Sequence, residues 1–260
     1  MDSLPPPTPI RLAILLTDEP LPSIAAKLGG FDSIFTSLLR AGCESLDPPQ
    51  PLTSQLTLTA HNVVGAAAAG DDEAYPDPAT IDAVLITGSR YAAYADDEWI
   101  VRLTYYTRRL LDGGRVRVIG VCFGHQIVAR ALGAPVARSS AGWELSVTEL
   151  ELTEEGKRVF GVNSLKIYQT HRDAILAYPP GVIPLARTEL CPKQGMYVPR
   201  RLITVQGHPE FSQFMMTEML RVRHAAGTIP DGAFEDAMRR VADDHDGVVV
   251  ARAFLRFLRE

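Results

Sequence analysis

The feature that most constrains this chain is a turn that joins an apolar strand pattern to a helical pattern. The strand pattern covers Val116 to Ile119, the turn reads Gly-Val-Cys-Phe-Gly-His-Gln from Gly120 to Gln126, and the helical pattern covers Ile127 to Leu132. Such a turn exposes the side chain at its apex, here Cys122, at a helix N-terminus, where the dipole and free N–H groups favour a thiolate. This segment therefore predicts a nucleophilic cysteine, with a buried structural cysteine as the alternative.

A second apolar strand pattern, Leu202 to Val205, ends in the polar run Gln-Gly-His-Pro-Glu. His208 and Glu210 are two residues apart, so they lie on the same side of an extended segment, and Pro209 favours extended geometry at His208. A cysteine nucleophile needs an imidazole within hydrogen-bond reach, and that imidazole needs an acceptor on its other nitrogen. We therefore predict that His208 is the base and that Glu210 orients it.

With these two segments the chain resembles the class I (triad) glutamine amidotransferases, and the resemblance covers roughly Ile10 to Phe211. Two further stretches match the family. Ala141 to Glu144 follows the helix after the cysteine turn, and Gln169 to Ala174 is similar to the family's substrate-side region. The resemblance implies an α/β fold and an activity on glutamine or a related γ-glutamyl compound.

The resemblance also implies residue roles. Cys122 would attack the side-chain carbonyl of a glutamine or γ-glutamyl group and form a thioester, His208 would carry protons, and Glu210 would orient His208. It implies neither a metal ion nor an organic cofactor. His125, beside the nucleophile, is expected to pack or cap at the helix start, because His208 has an orienting partner within its own motif.

An oxyanion formed in this chemistry must be met by fixed donors. The candidates are the backbone N–H groups of Gly88 and Ser89, which follow the strand pattern Ile81 to Ile86, and that of Phe123, which follows the nucleophile. The loop departs from the family's commonest pattern, because Ser89 stands where a second glycine is usual. Which of Gly88 and Ser89 donates is left open.

Three more residues are candidates for substrate binding. Gln126 lies one turn into the helix, where it reaches the substrate or ties down the turn. His171 and Asp173 contact the α-amino or α-carboxylate end of a γ-glutamyl group, or form a solvated pair in a loop. These alternatives are not separated by the sequence.

Arg90 is a fourth substrate-binding candidate, since a guanidinium binds carboxylates in bidentate fashion. An ion pair with Asp96 or Asp97 of the same loop is the alternative. The aromatic and charged stretch from Arg90 to Ile100 resembles the γ-glutamyl peptidase branch of the family more than its ammonia-producing subunits.

The chain contains neither a Walker-type phosphate loop nor a dinucleotide fingerprint, and nothing in it resembles a synthetase domain. We therefore expect a free-standing cysteine hydrolase or transferase that acts on a γ-glutamyl amide such as glutamine, glutathione or a glutathione conjugate. A glutaminase subunit that supplies ammonia to a separate synthetase is one alternative. A catalytically silent regulatory or binding protein on the same fold is another.

Composition agrees with a compact enzyme. The chain has 260 residues, 46% of them hydrophobic, which can bury a sizeable core, and its net charge of −5 disfavours a nucleic-acid partner. No apolar run reaches the length of a membrane span, and the start lacks the features of a signal peptide, so a cytoplasmic location is expected. Three cysteines without paired spacing suggest neither disulfides nor a zinc site; they are Cys43, Cys122 and Cys191.

Strand and helix patterns alternate along the chain, which predicts a mostly parallel central sheet with helices on both faces, similar to flavodoxin. We expect a single domain over 10–260, a disordered proline-rich start over 1–9, and a surface loop over 65–78. The predicted strands are 10–16, 56–59, 81–86, 116–121, 145–152, 165–168 and 199–205. The predicted helices are 34–39, 99–111, 127–132 and three tail helices with polar faces, 211–223, 232–241 and 248–258.

Overall fold

The computed structural model describes residues 8–64 and 74–260. The predicted start over 1–9 and loop over 65–78 therefore lie largely outside the described residues. The strands of the described chain are β1 (Ile10–Leu16), β2 (Leu56–Asn62), β3 (Ala83–Ile86), β4 (Arg117–Val121), β5 (Val136–Arg138), β6 (Glu144–Leu152), β7 (Ser164–His171), β8 (Asp173–Ile175), β9 (Ile183–Pro184), β10 (Ala186–Arg187), β11 (Gly195–Val198) and β12 (Leu202–Val205).

The helices of the same residues include three that sequence patterning missed, α1, α3 and α6. The full set is α1 (Pro22–Leu28), α2 (Phe31–Glu44), α3 (Leu52–Gln55), α4 (Glu98–Gly113), α5 (Phe123–Ala131), α6 (Glu154–Phe160), α7 (Gln213–Ala225), α8 (Asp231–Arg240) and α9 (Gly247–Arg259).

The central sheet has seven strands in the order β2-β1-β3-β4-β12-β11-β9. The first five run parallel, β11 is antiparallel to β12, and the edge strand β9 is antiparallel to β11. This confirms the predicted mostly parallel sheet and the flavodoxin-like class. Because β4 lies between β3 and β12, the carboxyl ends of these three strands meet at one edge of the sheet, where ligands of open α/β sheets bind.

Alternation along the buried strands assigns the helices to two faces of the sheet. On β1, Leu12 and Ile14 pack in one core with α2 and α9, whereas Ala13 and Leu15 pack in a second core with α4 and α5. Successive residues of a strand point to opposite faces, so a strand buried on both sides is apolar throughout. The prediction of helices on both faces is confirmed.

Two smaller sheets lie outside the central one. The predicted strands over 145–152 and 165–168 form an antiparallel pair, β6 and β7, that β10 extends to three strands, and β5 pairs with β8. A single bridge between Tyr168 and His208 links β7 to the segment after β12. This contact brings the end of β7 beside the edge of the central sheet.

The last tail helix, α9, has the predicted polar face, on which Arg256 and Arg259 are exposed. Eight of its other residues are buried, and the helix packs against α2. Gly42 of α2 permits the close approach, because a Cβ atom there would lie 2.8 Å from Cβ of Ala251. Among the helices of residues 8–64 and 74–260, none is long and apolar enough to cross a membrane.

Candidate active site

Cys122 occupies a strained turn between β4 and α5. Its φ of 52° and ψ of −102° are unusual for a residue with a side chain, and it is the N-terminal cap of α5. Strain of this kind costs about 1–3 kcal/mol and is concentrated at functional sites. The residue Cys122 is 6% exposed, so the turn holds the cysteine against the protein rather than free in solvent.

Two glycines allow this turn to close. A Cβ atom at Gly120 would lie 2.7 Å from the carbonyl oxygen of Gly124, and one at Gly124 would lie 2.2 Å from the carbonyl oxygen of Ile86. Neither glycine has a positive φ, so the requirement comes from the close approach of backbone segments. Small residues on both sides of Cys122 are therefore needed to pack α5 against β3 and β4.

His208 and Glu210 follow β12 and form a buried pair. The His208 backbone N–H donates to the carbonyl of Tyr168 at 2.8 Å, and its Nδ1 donates to Oε1 of Glu210 at 2.8 Å. The ring of Phe211 stacks on the imidazole with centroids 4.1 Å apart. The backbone bond, the carboxylate and the aromatic ring together fix the orientation of the imidazole.

The other side of the imidazole faces Gly88 and Cys122. A Cβ atom at Gly88 would lie 2.7 Å from Cε1 of His208 and 3.6 Å from Cβ of Cys122. Burial lowers the pKa of His208, but charge interactions with Cys122 and Glu210, together with the hydrogen bond to Glu210, raise it by more, to about 10. The structure thus brings together the three residues that the sequence predicts as a triad.

His125 is in a different position from His208. It is fully buried within α5, and its Nδ1 lies 2.7 Å from Oγ1 of Thr204. Burial and the nearby His171 lower its pKa to about 3, so the ring is neutral. The expectation that His125 packs within the fold is confirmed.

The predicted oxyanion loop is braced by the end of β1. The hydroxyl of Thr17 donates to the carbonyl of Gly88 at 2.9 Å, and the hydroxyl of Ser89 donates to the carbonyl of Thr17 at 2.8 Å. Ser89 has a negative φ, so the serine fits the loop without strain. Within the described residues, the N–H groups of Ser89 and Phe123 have no hydrogen-bond acceptor.

A cavity of about 100 Å³ opens beside Cys122. All four residues predicted to bind substrate line it, together with Cys122 and Phe123. These four are Arg90, Gln126, His171 and Asp173. The cavity therefore brings the four predicted substrate-binding residues together beside the cysteine.

The relation of this site to known proteins follows from two comparisons. The profile of the class-I glutamine amidotransferases matches residues 63–223. A glutamine amidotransferase-like protein of Schizosaccharomyces pombe is 33% identical over 251 residues, which are 96% of this chain and 99% of the relative. The chain belongs to the class-I glutamine amidotransferase family.

Two further proteins are similar to this chain, one in sequence and one in structure. Gamma-glutamyl peptidase 4 of Arabidopsis thaliana is 28% identical over 207 residues, which are 77% of this chain and 76% of the peptidase. A crystal structure of a Thermotoga maritima glutamine amidotransferase superposes with a TM-score of 0.67 at 15% identity, and the match covers 96% of this chain and 99% of the other. At that identity the superposition shows the shared fold.

In this amidotransferase-family chain, Gln126 ties down the turn. Its Nε2 donates to the carbonyl of Asp173 at 2.9 Å and to Oε1 of Gln206 at 3.0 Å. His171 is buried rather than solvated, with Nε2 at 2.8 Å from Glu144 and Nδ1 at 3.2 Å from the Asp173 carbonyl. Both side chains line the cavity while their nitrogens bind protein groups.

The expected ion pair of Arg90 with Asp96 or Asp97 is wrong. Arg90 pairs with Asp18 at 2.8 Å, and Asp96 pairs with Arg130 at 3.0 Å instead. β1 and β3 are neighbours in the sheet, so the loops that follow them are adjacent although they are far apart in sequence. The spacing of residues within one loop could not identify an ion-pair partner that lies in another loop.

Gln206 and two arginines were not predicted to be part of the site. Nε2 of Gln206 lies 3.6 Å from the sulfur of Cys122, and its position two residues before His208 was a usable signal. Arg172 and Arg223 lie over the ring of Trp143, at 5.1 and 5.4 Å from its centroid. Within the described residues neither guanidinium forms an ion pair, although both line the Cys122 cavity.

A second buried polar cluster lies beneath this cavity. Glu144, His171 and Cys191 bring potential metal-ligand atoms within 4.8 Å of one another. The Glu144 carboxylate already accepts from Thr188 at 2.5 Å and from Gln194 at 2.6 Å, besides His171. Burial raises the pKa of Cys191 to about 12, whereas a metal binds the thiolate. The arrangement is best described as a hydrogen-bonded cluster.

Proposed function

We propose that this protein is a cysteine hydrolase or transferase that cleaves a γ-glutamyl amide bond through a thioester on Cys122. The observation that carries the proposal is the placement of His208, whose imidazole is held by Glu210 on one side and faces Cys122 on the other. A nucleophile, a base and an orienting carboxylate in this order are the requirements of covalent acyl transfer. The similarity to a γ-glutamyl peptidase supports the substrate class.

In the first half of the reaction, the thiolate of Cys122 attacks the amide carbonyl carbon. The carbonyl oxygen becomes an oxyanion, which the N–H of Phe123 and an N–H of the Gly88-Ser89 loop would stabilise. The protonated imidazole of His208 then donates its proton to the departing nitrogen. The C–N bond breaks, the amine leaves, and a γ-glutamyl thioester remains on Cys122.

In the second half, neutral His208 takes a proton from a water molecule or from an amine acceptor. The activated nucleophile attacks the thioester carbonyl, and the C–S bond breaks as the thiolate of Cys122 is restored. With water the product is glutamate, whose new carboxyl group loses its proton to solvent. With an amine the product is a new γ-glutamyl amide, so the same site supports hydrolysis and transfer.

The charged residues of the Cys122 cavity suit the other end of a γ-glutamyl group. Arg172 and Arg223, which share Trp143, have guanidinium groups without a carboxylate partner in the described chain and would bind the α-carboxylate. The carboxylate of Asp173, paired with Arg138 at 3.1 Å, would accept a hydrogen bond from the α-amino group. This division places the γ-carbonyl towards Cys122.

A turnover assay tests the proposal. Purified protein is incubated with glutamine, glutathione and a glutathione S-conjugate, and free glutamate and ammonia are measured, with Cys122→Ala as the inactive control. Release of glutamate from the glutathione compounds is expected, and the variant should lose it while keeping its unfolding midpoint. Ammonia from glutamine alone would favour a glutaminase subunit, and full activity of Cys122→Ala would contradict the mechanism.

A further inference from the structure

A second cavity, of about 170 Å³, adjoins the one at Cys122. His208 and Gly88 line the second cavity and not the first, whereas Cys122 and Phe123 line the first and not the second. The two cavities adjoin each other, and four residues line both. These shared residues are Ser89, Arg90, Thr170 and Arg223.

The proposed reaction requires the two halves of the substrate to lie in different cavities. The acyl carbon must lie against Cys122, and the departing nitrogen must lie within hydrogen-bond reach of His208. Nδ1 of His208 is occupied by Glu210, so the proton leaves from the ring edge that faces the site. The acyl half of the substrate therefore occupies the Cys122 cavity, and the amine half extends past His208 into the second cavity.

The second cavity is apolar except at its rim. Its walls come from the loop after β1, from α1 and α2, and from α7, and they are formed by Leu21, Ile24, Phe31, Phe211, Met215 and Met219. Two acidic residues lie at the rim: Asp18 is neutralised by its ion pair with Arg90, and Glu19 is exposed to solvent. Methionine thioethers adapt to the shape of apolar groups, and a charged substituent would lose its hydration without gaining a partner among the apolar walls.

We propose that this cavity, defined here as the amine cleft, binds the leaving amine of the γ-glutamyl amide and selects amines that carry a bulky apolar group. This inference rests on the proposed function and names its substrate class. It excludes ammonia as the preferred leaving group, since ammonia would leave the amine cleft empty. In transfer reactions the same cleft would bind an apolar acceptor amine.

The test compares substrates that differ only in the amine. kcat/KM is measured for γ-glutamylglycine, γ-glutamylleucine, γ-glutamylphenylalanine and γ-glutamyllysine, with glutamine as the reference whose leaving group is ammonia. One extra methylene group in a hydrophobic pocket is worth about 10–200-fold in kcat/KM, and the leucine and phenylalanine side chains each add several carbon atoms. We therefore expect γ-glutamylphenylalanine and γ-glutamylleucine to exceed γ-glutamylglycine by at least about 10-fold.

A substitution that places a negative charge in the amine cleft gives a second test, because it predicts the direction in which substrate preference changes. Met219→Glu should lower the ratio of kcat/KM for γ-glutamylphenylalanine to that for glutamine and raise the ratio for γ-glutamyllysine, because a carboxylate disfavours an apolar group and attracts an ammonium. Val101→Glu, at an exposed apolar position of α4 outside the cleft, is the matched control. Ratios correct for any general loss of folded enzyme.

The outcomes separate the two proposals. Turnover with equal kcat/KM for all four dipeptides, or a Met219→Glu ratio that matches that of Val101→Glu, would overturn the amine cleft and leave the γ-glutamyl chemistry standing. No turnover of any substrate, glutamine included, would overturn the proposed function and the cleft together. Selectivity for phenylalanine and leucine that Met219→Glu removes would support both.

Discussion

At the scale of single residues, Gly88 lies so close to His208 and Cys122 that one added carbon atom would contact both side chains. A Cβ atom there would lie 2.7 Å from Cε1 of His208, which is closer than carbon atoms pack. We predict that Gly88→Ala displaces the imidazole and lowers kcat by about 100-fold or more, since a misplacement of about 1 Å can have that effect. Steady-state turnover of the γ-glutamyl substrate measures the change.

The control for this substitution is Gly232→Ala, a glycine of α8 with open space around its Cα. It should keep wild-type turnover, and both variants should unfold with a single transition in a denaturant titration. Wild-type activity in Gly88→Ala would mean that the imidazole does not lie against this loop. Loss of the folded state in Gly88→Ala would instead assign a structural role to the glycine.

The residues of the site differ in how much local sequence reveals them. Cys122, His208 and Glu210 were predicted because each lies at the end of an apolar strand pattern, and strand ends converge at one edge of a parallel sheet. Arg223 was missed because it lies in the last turns of α7, where a basic residue is ordinarily solvated. Its contact with Trp143 depends on how α7 packs over the sheet, and no local pattern encodes that packing.

At the scale of secondary structure elements, the packing of α9 against α2 is expected to stabilise the fold. Val250 is fully buried and Val248 is 39% exposed on the same helix. We predict that Val250→Ala lowers the free energy of unfolding by about 2 kcal/mol, from two lost methyl groups and the cavity that they leave. Val248→Ala should change the free energy of unfolding by less than about 0.5 kcal/mol. Urea denaturation of both variants measures the difference.

Equal effects of these two substitutions would contradict the packing of α9 against α2. The sequence predicted a helix with a polar face here, because arginines recur among the apolar residues of the segment. The structure has both a buried apolar side and a polar face on α9. Arg256 donates to the carbonyl of Val159 at 2.8 Å at the end of α6, and Arg259 to the side-chain carbonyl oxygen of Gln55 at 3.1 Å. These basic residues therefore bind neighbouring elements at the edge of a buried helix.

At the scale of the whole molecule, the strand patterns specified the central sheet but not the placement of β6 and β7. An apolar strand pattern predicts pairing and does not identify the partner. In the structure β6 pairs with β7 in an antiparallel register that continues over eight residue pairs. The consequence for the site is large, because the end of β7 supplies His171 and the contact to His208 that the central sheet alone would lack.

The buried carboxylate of Glu144 connects these parts of the molecule. It joins the start of β6 to the end of β7 through His171, and both to the segment before β11 through Gln194. We predict that Glu144→Ala lowers the free energy of unfolding by about 3 kcal/mol, since a buried donor that loses its acceptor costs about 1–3 kcal/mol and several are affected. The matched control, Glu149→Ala, removes an exposed carboxylate of the same strand and should change it by less than about 0.5 kcal/mol.

Denaturant unfolding followed by tryptophan fluorescence and by circular dichroism measures this prediction at two levels. With Trp99 of α4 replaced by phenylalanine in every protein compared, Trp143, which is adjacent to Glu144, reports on the β6 and β7 region, whereas circular dichroism reports on all helices and sheets. Because Glu144 ties the small sheet to the segment that leads into β11, the two signals should change together in the protein that retains Glu144, and the midpoint of Glu144→Ala should be shifted to lower denaturant concentration. A fluorescence transition that precedes the loss of circular dichroism in the protein that retains Glu144 would show that the small sheet unfolds independently although this carboxylate is present, and the connecting role of Glu144 would then be wrong.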